Sequence, residues 1–383
     1  MQLPAFVFAA LLVLGITTAQ AAGVRNFDIP AGPAGPAIRL LVWTPCAEPP
    51  REMDARGATF FAVPACPVTG EKLPLIVMSH GRRGWFGGHH DTAAALADAG
   101  FVVAALNHPG DTMRDTSRTD SLSVLVERPT DMSRLIDYML DGWPDASRID
   151  PQRIGFYGFS FGGYTGLVVI GGNPDLRKGL PNCETSSLKA CKQLESGELP
   201  DQPTTHDKRV KAAVIIDPYP VFVFPEENLK AITVPVQLWS SDPAQNADGL
   251  SGCCAAAINQ RLPIKPDYHF VDNARHFSFL ATCTPKDARE APAVCTDAPD
   301  FDRVDFHRRL TQMSSRSFAS ISPKAPSRDA ALGPAPRRPK SRTSRCRARG
   351  RASREPRRHR CCNSWLSACA RRRPSRHCPL KAD

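Results

Sequence analysis

No apolar stretch of this 383-residue chain is long enough to cross a bilayer. The longest, from Ala5 to Ile16, falls short of the roughly 20 residues that a spanning helix needs. No C-x-x-C occurs with zinc-like partners, so no metal site is expected. Lys and Arg are missing before Arg25. Acidic residues are almost missing after Met313, where 3 of the 38 fall, against 20 of the 49 basic residues. The formal charge of +11 is therefore a property of the last segment, and the first 313 residues carry −6.

What is present falls into three pieces. The first 21 residues hold a short apolar core followed by Ala19-Gln20-Ala21, which reads as a signal peptide cut near Ala21. Its uncharged start departs from the usual pattern. Eight of the 13 cysteines lie before Met313, and an even number in an exported chain points to disulfides. Short loops favour Cys46–Cys66, Cys183–Cys191 and Cys283–Cys295. Adjacent Cys253 and Cys254 read better as buried thiols, because a bond between neighbours is strained. Residues 314–383 are rich in Arg, Pro and Ser without apolar periodicity and are expected to be disordered. They read either as a basic arm for polyanions or as the product of a shifted reading frame. The second reading is favoured, and no nucleic-acid partner is expected, because an exported protein has little access to nucleic acid.

Between these pieces, residues 22–313 alternate apolar strands with helices, the pattern of an α/β domain around a parallel sheet. Strands are expected at 38–43 (at a sheet edge), 73–78, 101–106, 212–216, 234–239 and 268–271. Helices are expected at 90–99, 129–142, 164–170, 249–262 and 301–310. Residues 171–209 are too long for an ordinary crossover and read as a small cap over a site.

The most informative motif is Gly158-Phe159-Ser160-Phe161-Gly162-Gly163, with a strand before it and a helix after it. G-x-S-x-G in that setting is a nucleophile elbow, a turn too tight for side chains on either flank that lifts a serine hydroxyl above the sheet. The 73–78 strand ends in Ser79-His80-Gly81-Arg82-Arg83-Gly84, a loop able to bring a backbone N–H toward that serine. The N–H of Phe161 would be the second oxyanion donor. His276, on a loop after the last strand, is the candidate general base, since imidazole titrates near neutrality. His269, inside the strand, reads as structural. Asp217 and Asp242 each end a strand, and either could orient the imidazole or simply cap a turn. Trp85, Phe86 and Tyr219 are candidates for a substrate pocket, with core packing as the alternative.

Four segments together, Ser79-His80-Gly81, the elbow, Ile216-Asp217-Pro218 and Arg275-His276-Phe277-Ser278-Phe279-Leu280, resemble bacterial dienelactone-hydrolase-like proteins related to platelet-activating-factor acetylhydrolases. The resemblance implies an α/β-hydrolase fold: a doubly wound, mostly parallel sheet with helices on both faces and a small cap insertion. It also implies a serine esterase that needs no metal or cofactor; with the leader and cysteines read above, an exported enzyme acting on a small or lipid-like ester or lactone is expected. On the acetylhydrolase pattern the acid is Asp217 and the first oxyanion donor is Arg82. On the dienelactone-hydrolase pattern the acid is Asp242, although that pattern uses cysteine where this chain has Ser160. Two rivals remain, an inert binding protein on the same fold and a frameshifted, non-functional hydrolase.

Overall fold

The computed structural model describes residues 21–55, 58–183, 189–245 and 253–321. The expected signal peptide, bar Ala21, and the basic segment after Ile321 lie outside the described residues. Ten strands occur among the described residues: β1 (Ala21–Ile29), β2 (Ile38–Cys46), β3 (Arg51–Ala55), β4 (Ala58–Pro64), β5 (Leu73–Ser79), β6 (Val102–Leu106), β7 (Ile149–Phe159), β8 (Val210–Ile216), β9 (Val236–Ser240) and β10 (Asp267–Phe270). They form one sheet in the order β10-β9-β8-β7-β5-β6-β2-β1-β4-β3. The pairs from β6 through β5, β7, β8 and β9 to β10 are parallel, whereas β2 runs antiparallel to both β1 and β6. The 38–43 strand expected at an edge is therefore internal, because β1 and the β3–β4 hairpin extend the sheet beyond it.

The helices are α1 (His90–Asp98), α2 (Ser123–Asp137), α3 (Phe161–Val169), α4 (Lys189–Ser196), α5 (Cys253–Arg261), α6 (Pro285–Glu290), α7 (Pro292–Cys295) and α8 (Arg303–Ala319). Every residue of β5, β6 and β9 is buried, as strands covered on both faces require. Successive side chains divide between two cores. Leu75, Val77, Phe156 and Ile215 pack with Met132 and Leu135 of α2 and Leu167 of α3. Ile76, Met78, Tyr157 and Ile216 pack with Leu96 of α1 and Phe306 and Phe318 of α8.

Helix α2 starts earlier than expected and contains Pro129. A proline there has no N–H for the carbonyl of Leu125. The buried hydroxyl of Tyr164 on α3 donates to that carbonyl instead, at 3.3 Å. The chain then leaves α2 through a π turn, Tyr138–Gly142.

Two expectations need correction. Among the described residues of 171–209, none lines the cavity described below. Helix α4 of that stretch packs against the segment before α2: Ala190 N–H donates to Asp120 O at 2.6 Å, and Leu122 N–H donates to the Gln193 side chain at 3.0 Å. The domain also does not stop at Met313, because α8 continues to Ala319. Ser314, Ser315 and Ser317 interrupt the apolar pattern, yet Phe306, Leu310, Ser314 and Phe318 recur every four residues on one buried face. The ring of Phe318 occupies the space that a Cβ on Gly155 of β7 would take, only 2.6 Å from it. Phe318→Ala should lower the unfolding free energy by about 3–5 kcal/mol through lost burial and a residual cavity. Denaturant midpoints of full-length protein and variant test this, and an unchanged midpoint would place α8 outside the cooperative fold.

Candidate active site

The sheet order brings the C-terminal ends of β5, β7 and β8 side by side, with Ser79 paired to Gly158 and Phe159 paired to Ile216. The chain turns sharply at Ser160, which has φ 55° and ψ −117°. A side chain at positive φ is strained by roughly 1–3 kcal/mol, so its surroundings must hold it there. Ser160 N–H donates to Ile216 O at 2.9 Å, and Ser160 O accepts from Tyr219 N–H at 3.1 Å. The glycines are required by contact. A Cβ on Gly158 would lie 2.2 Å from Gly162 O, and one on Gly162 would lie 1.9 Å from Ser79 O.

His276 opens a short 3-10 turn, His276–Phe279. Its Nδ1 lies 2.6 Å from Asp217 Oδ2. A carboxylate only accepts, so Nδ1 carries the proton and Nε2 is left as the basic nitrogen. Asp217 is itself held by Ser241, whose hydroxyl donates to Oδ2 at 2.7 Å and whose N–H donates to Oδ1 at 3.2 Å. The Asp242 carboxylate accepts from Ala244 N–H at 2.9 Å and Asn273 N–H at 3.2 Å. The Phe159 ring packs on the imidazole of His276 at 4.6 Å. His269 stacks on Trp239 at 4.4 Å.

Arg82 and Arg83 are the central residues of a turn closed by Gly84 N–H to Gly81 O at 3.0 Å. The Arg82 side chain pairs with Asp120 at the surface. His80 lies beneath the turn, 4% exposed, and burial lowers its pKa to about 3, so the ring is neutral. His108 N–H donates to His80 Nε2 at 3.2 Å, which leaves the ring proton on Nδ1 to donate to Gly81 O at 2.7 Å. Phe161 is the first residue of α3, so its N–H is among those that no carbonyl of that helix can reach.

Ser160 and His276 share the wall of a cavity of about 580 Å³ with Arg82, Trp85, Phe159 and Leu280. Trp85 therefore lines this cavity. Phe86 is buried in the core, where its N–H donates to Asn107 Oδ1 at 2.7 Å. Tyr219 stacks on Phe161 at 6.0 Å and does not line this cavity. Sequence reasoning missed the opposite wall, built from Ala281 to Cys295 and including α6 and α7. The cysteine pair was its signal. Cys283–Cys295 is bonded, as are Cys46–Cys66 and Cys183–Cys191. Cys254 is half-buried at the start of α5, and the side chain of Cys253 lies outside the described residues.

Ser160 thus sits at a strand-to-helix turn on the C-terminal edge of the parallel strands, with the His276–Asp217 pair on later loops. The fold is that of the α/β-hydrolases. The solved structure of a ferulic acid esterase from Streptomyces cinnamoneus matches with a TM-score of 0.53 and 16% identity, over 84% of this chain and 95% of that one. A dienelactone hydrolase from Anabaena variabilis matches with a TM-score of 0.44 and 13% identity, over 78% of this chain and 98% of that one. No family model and no curated protein matches the chain.

The disulfide-closed wall leads back to the histidine turn. Ser278 donates to Asp297 at 2.5 Å, and Arg275 donates to Thr296 O at 3.2 Å. Mild reduction should therefore raise amide hydrogen exchange in residues 276–297 while the amides of β5, β7 and β8 stay protected. Uniform loss of protection across the sheet would show that the bond supports the whole domain instead.

Proposed function

We propose that this chain is a serine carboxylic ester hydrolase with Ser160 as nucleophile, His276 as general base and Asp217 as the acid that orients it. The observation that carries this reading is the 2.6 Å bond from His276 Nδ1 to Asp217 Oδ2, behind a cavity whose wall holds both His276 and Ser160. It directs the basic Nε2 away from the carboxylate and steadies the imidazolium formed when the ring accepts a proton. The likeness in fold to a ferulic acid esterase is in keeping with an ester substrate.

The reaction is two acyl transfers. His276 takes the Ser160 proton as Oγ attacks the ester carbonyl. The backbone N–H groups of Phe161 and Arg82 hold the oxyanion. His276 then protonates the leaving alcohol, and water repeats the sequence to release the acid. Trp85, Phe159 and Leu280 give the cavity apolar walls suited to a small or lipid-like ester or lactone. The three disulfides support an exported enzyme, since such bonds persist in oxidising compartments. No described helix is long and apolar enough to cross a membrane.

Purified protein should hydrolyse short p-nitrophenyl esters and lose that activity on labelling by a serine-reactive phosphonate. Ser160→Ala should lower turnover by roughly 10³-fold or more without unfolding the chain. Folded protein with neither turnover nor labelling would instead be an inert binder. Asp217→Asn should lower turnover by about 10⁴-fold, because an amide favours the wrong imidazole tautomer. Asp242→Asn should cost far less, and the opposite ranking in kcat would move the acid to Asp242.

A further inference from the structure

We propose that Arg128 is a positioning residue for oxyanion binding: its buried guanidinium, paired with Asp111, braces both the His80–Gly84 turn and Phe161. The inference rests on the ester-hydrolase reading above and extends it to a side chain outside the cavity wall.

Arg128 projects from α2 into the space below the turn and is 1% exposed. Its Nη2 donates to the carbonyl of His80. Its Nε lies 3.8 Å from Asp111 Oδ2, and the Asp111 side chain is also fully buried. Asp111 Oδ1 accepts from Arg83 N–H at 3.0 Å and from the Thr119 hydroxyl at 2.8 Å. One buried ion pair therefore holds the turn by the carbonyl before Gly81 and by the N–H after Arg82. The donor proposed for the oxyanion, Arg82 N–H, lies between those two points. The guanidinium carbon also sits over the Phe161 ring, 5.8 Å from its centre, so the same cation touches the residue that carries the second donor.

The neighbouring polar groups anchor the same strand end. His108 Nδ1 donates to Asp131 Oδ2 at 3.0 Å, and its Nε2 accepts from the Ser79 hydroxyl at 2.9 Å. Ser79, His80, Gly81 and Arg83 are thus each tied to buried groups on other elements or to the His80 ring. Burial lowers the Arg128 pKa to about 10, which leaves it charged at neutral pH. Burying a guanidinium whose Nη1 has no hydrogen-bond partner among the described residues is a poor way to gain stability. What it secures is the geometry of two N–H groups that must meet a charge present only in the transition state.

The test compares full-length wild type with Arg128→Lys and with the double variant Arg128→Met/Asp111→Asn, which removes both buried charges together. Lysine keeps the charge but not the fork that reaches His80 O and Asp111 at once. The readouts are kcat and KM on a short p-nitrophenyl ester, inhibition by a trifluoromethyl ketone that forms a tetrahedral oxyanion on serine, inhibition by the product acid, and the denaturant midpoint. Arg128→Lys should lower kcat by about 10-fold and the double variant by about 100-fold, the loss expected when a donor is displaced by about an ångström. KM should stay within about twofold, ketone binding should weaken in parallel with kcat/KM, and product binding should not change. Folded variants with wild-type kcat overturn the proposal. So do equal losses in ketone and product binding, or failure of both variants to fold, which would assign Arg128 to stability alone. A wild type without turnover or phosphonate labelling is a separate result, because it removes the ester-hydrolase reading before any variant is compared.

Discussion

The backbone at Ser160 is held where an L-residue resists going, with φ at 55°. Much of the surrounding structure follows from that constraint. The turn leaves room for Gly162 only because α3 descends onto the end of β5, close to Ser79 O. The hydrogen bonds that fix it come from the end of β8 and the loop beyond, through Ile216 O and Tyr219 N–H. The strands on either side of the elbow are therefore the ones that supply the Arg82 turn and Asp217. Parallel pairing in register places all three at one edge of the sheet, the edge where open α/β sheets hold their ligands.

Local chemistry was legible in the sequence and remote partnerships were not. The elbow reads directly because its glycines, serine and flanking strand lie within a dozen residues. Asp217 and Asp242 read alike because each follows an apolar strand. In the folded chain Asp217 bonds His276 directly and is held by Ser241, while Asp242 accepts from the N–H groups of Ala244 and Asn273. Arg128 and Asp131 share a helix with Met132 and Leu135 and look like solvated charges in a linear pattern. They are buried because α2 lies over residues from loops far away in the chain. The cavity wall was misplaced for a related reason. Length singled out 171–209, whereas the stretch after His276 is shorter and gains its position from a disulfide and from Arg303, which binds Asp297 at 2.8 Å.

The two cores differ in what they protect. The face covered by α2 and α3 holds the ionic layer beneath the turn, with His80 and His108 kept neutral by burial. The face covered by α1 and α8 carries aromatic rings up to the site, from Phe306 through Phe279 at 5.1 Å, with Phe159 against His276. One side underlies the His80–Gly84 turn, and the other backs the ring of His276. Substitutions in α2 and α8 would accordingly disturb different flanks of the same cavity.

Pro129 carries a further meaning. By removing one proton from α2 it leaves a single acceptor facing inward, and the Tyr164 hydroxyl is what answers it. Apolar ridges alone would let two helices slide by a fraction of a turn at little penalty. An acceptor met by the Tyr164 hydroxyl at 3.3 Å turns that sliding into a discrete choice. The proline thus works as an alignment key between the helix that bears Arg128 and the helix that begins at Phe161, which keeps the brace and the residue it braces in step.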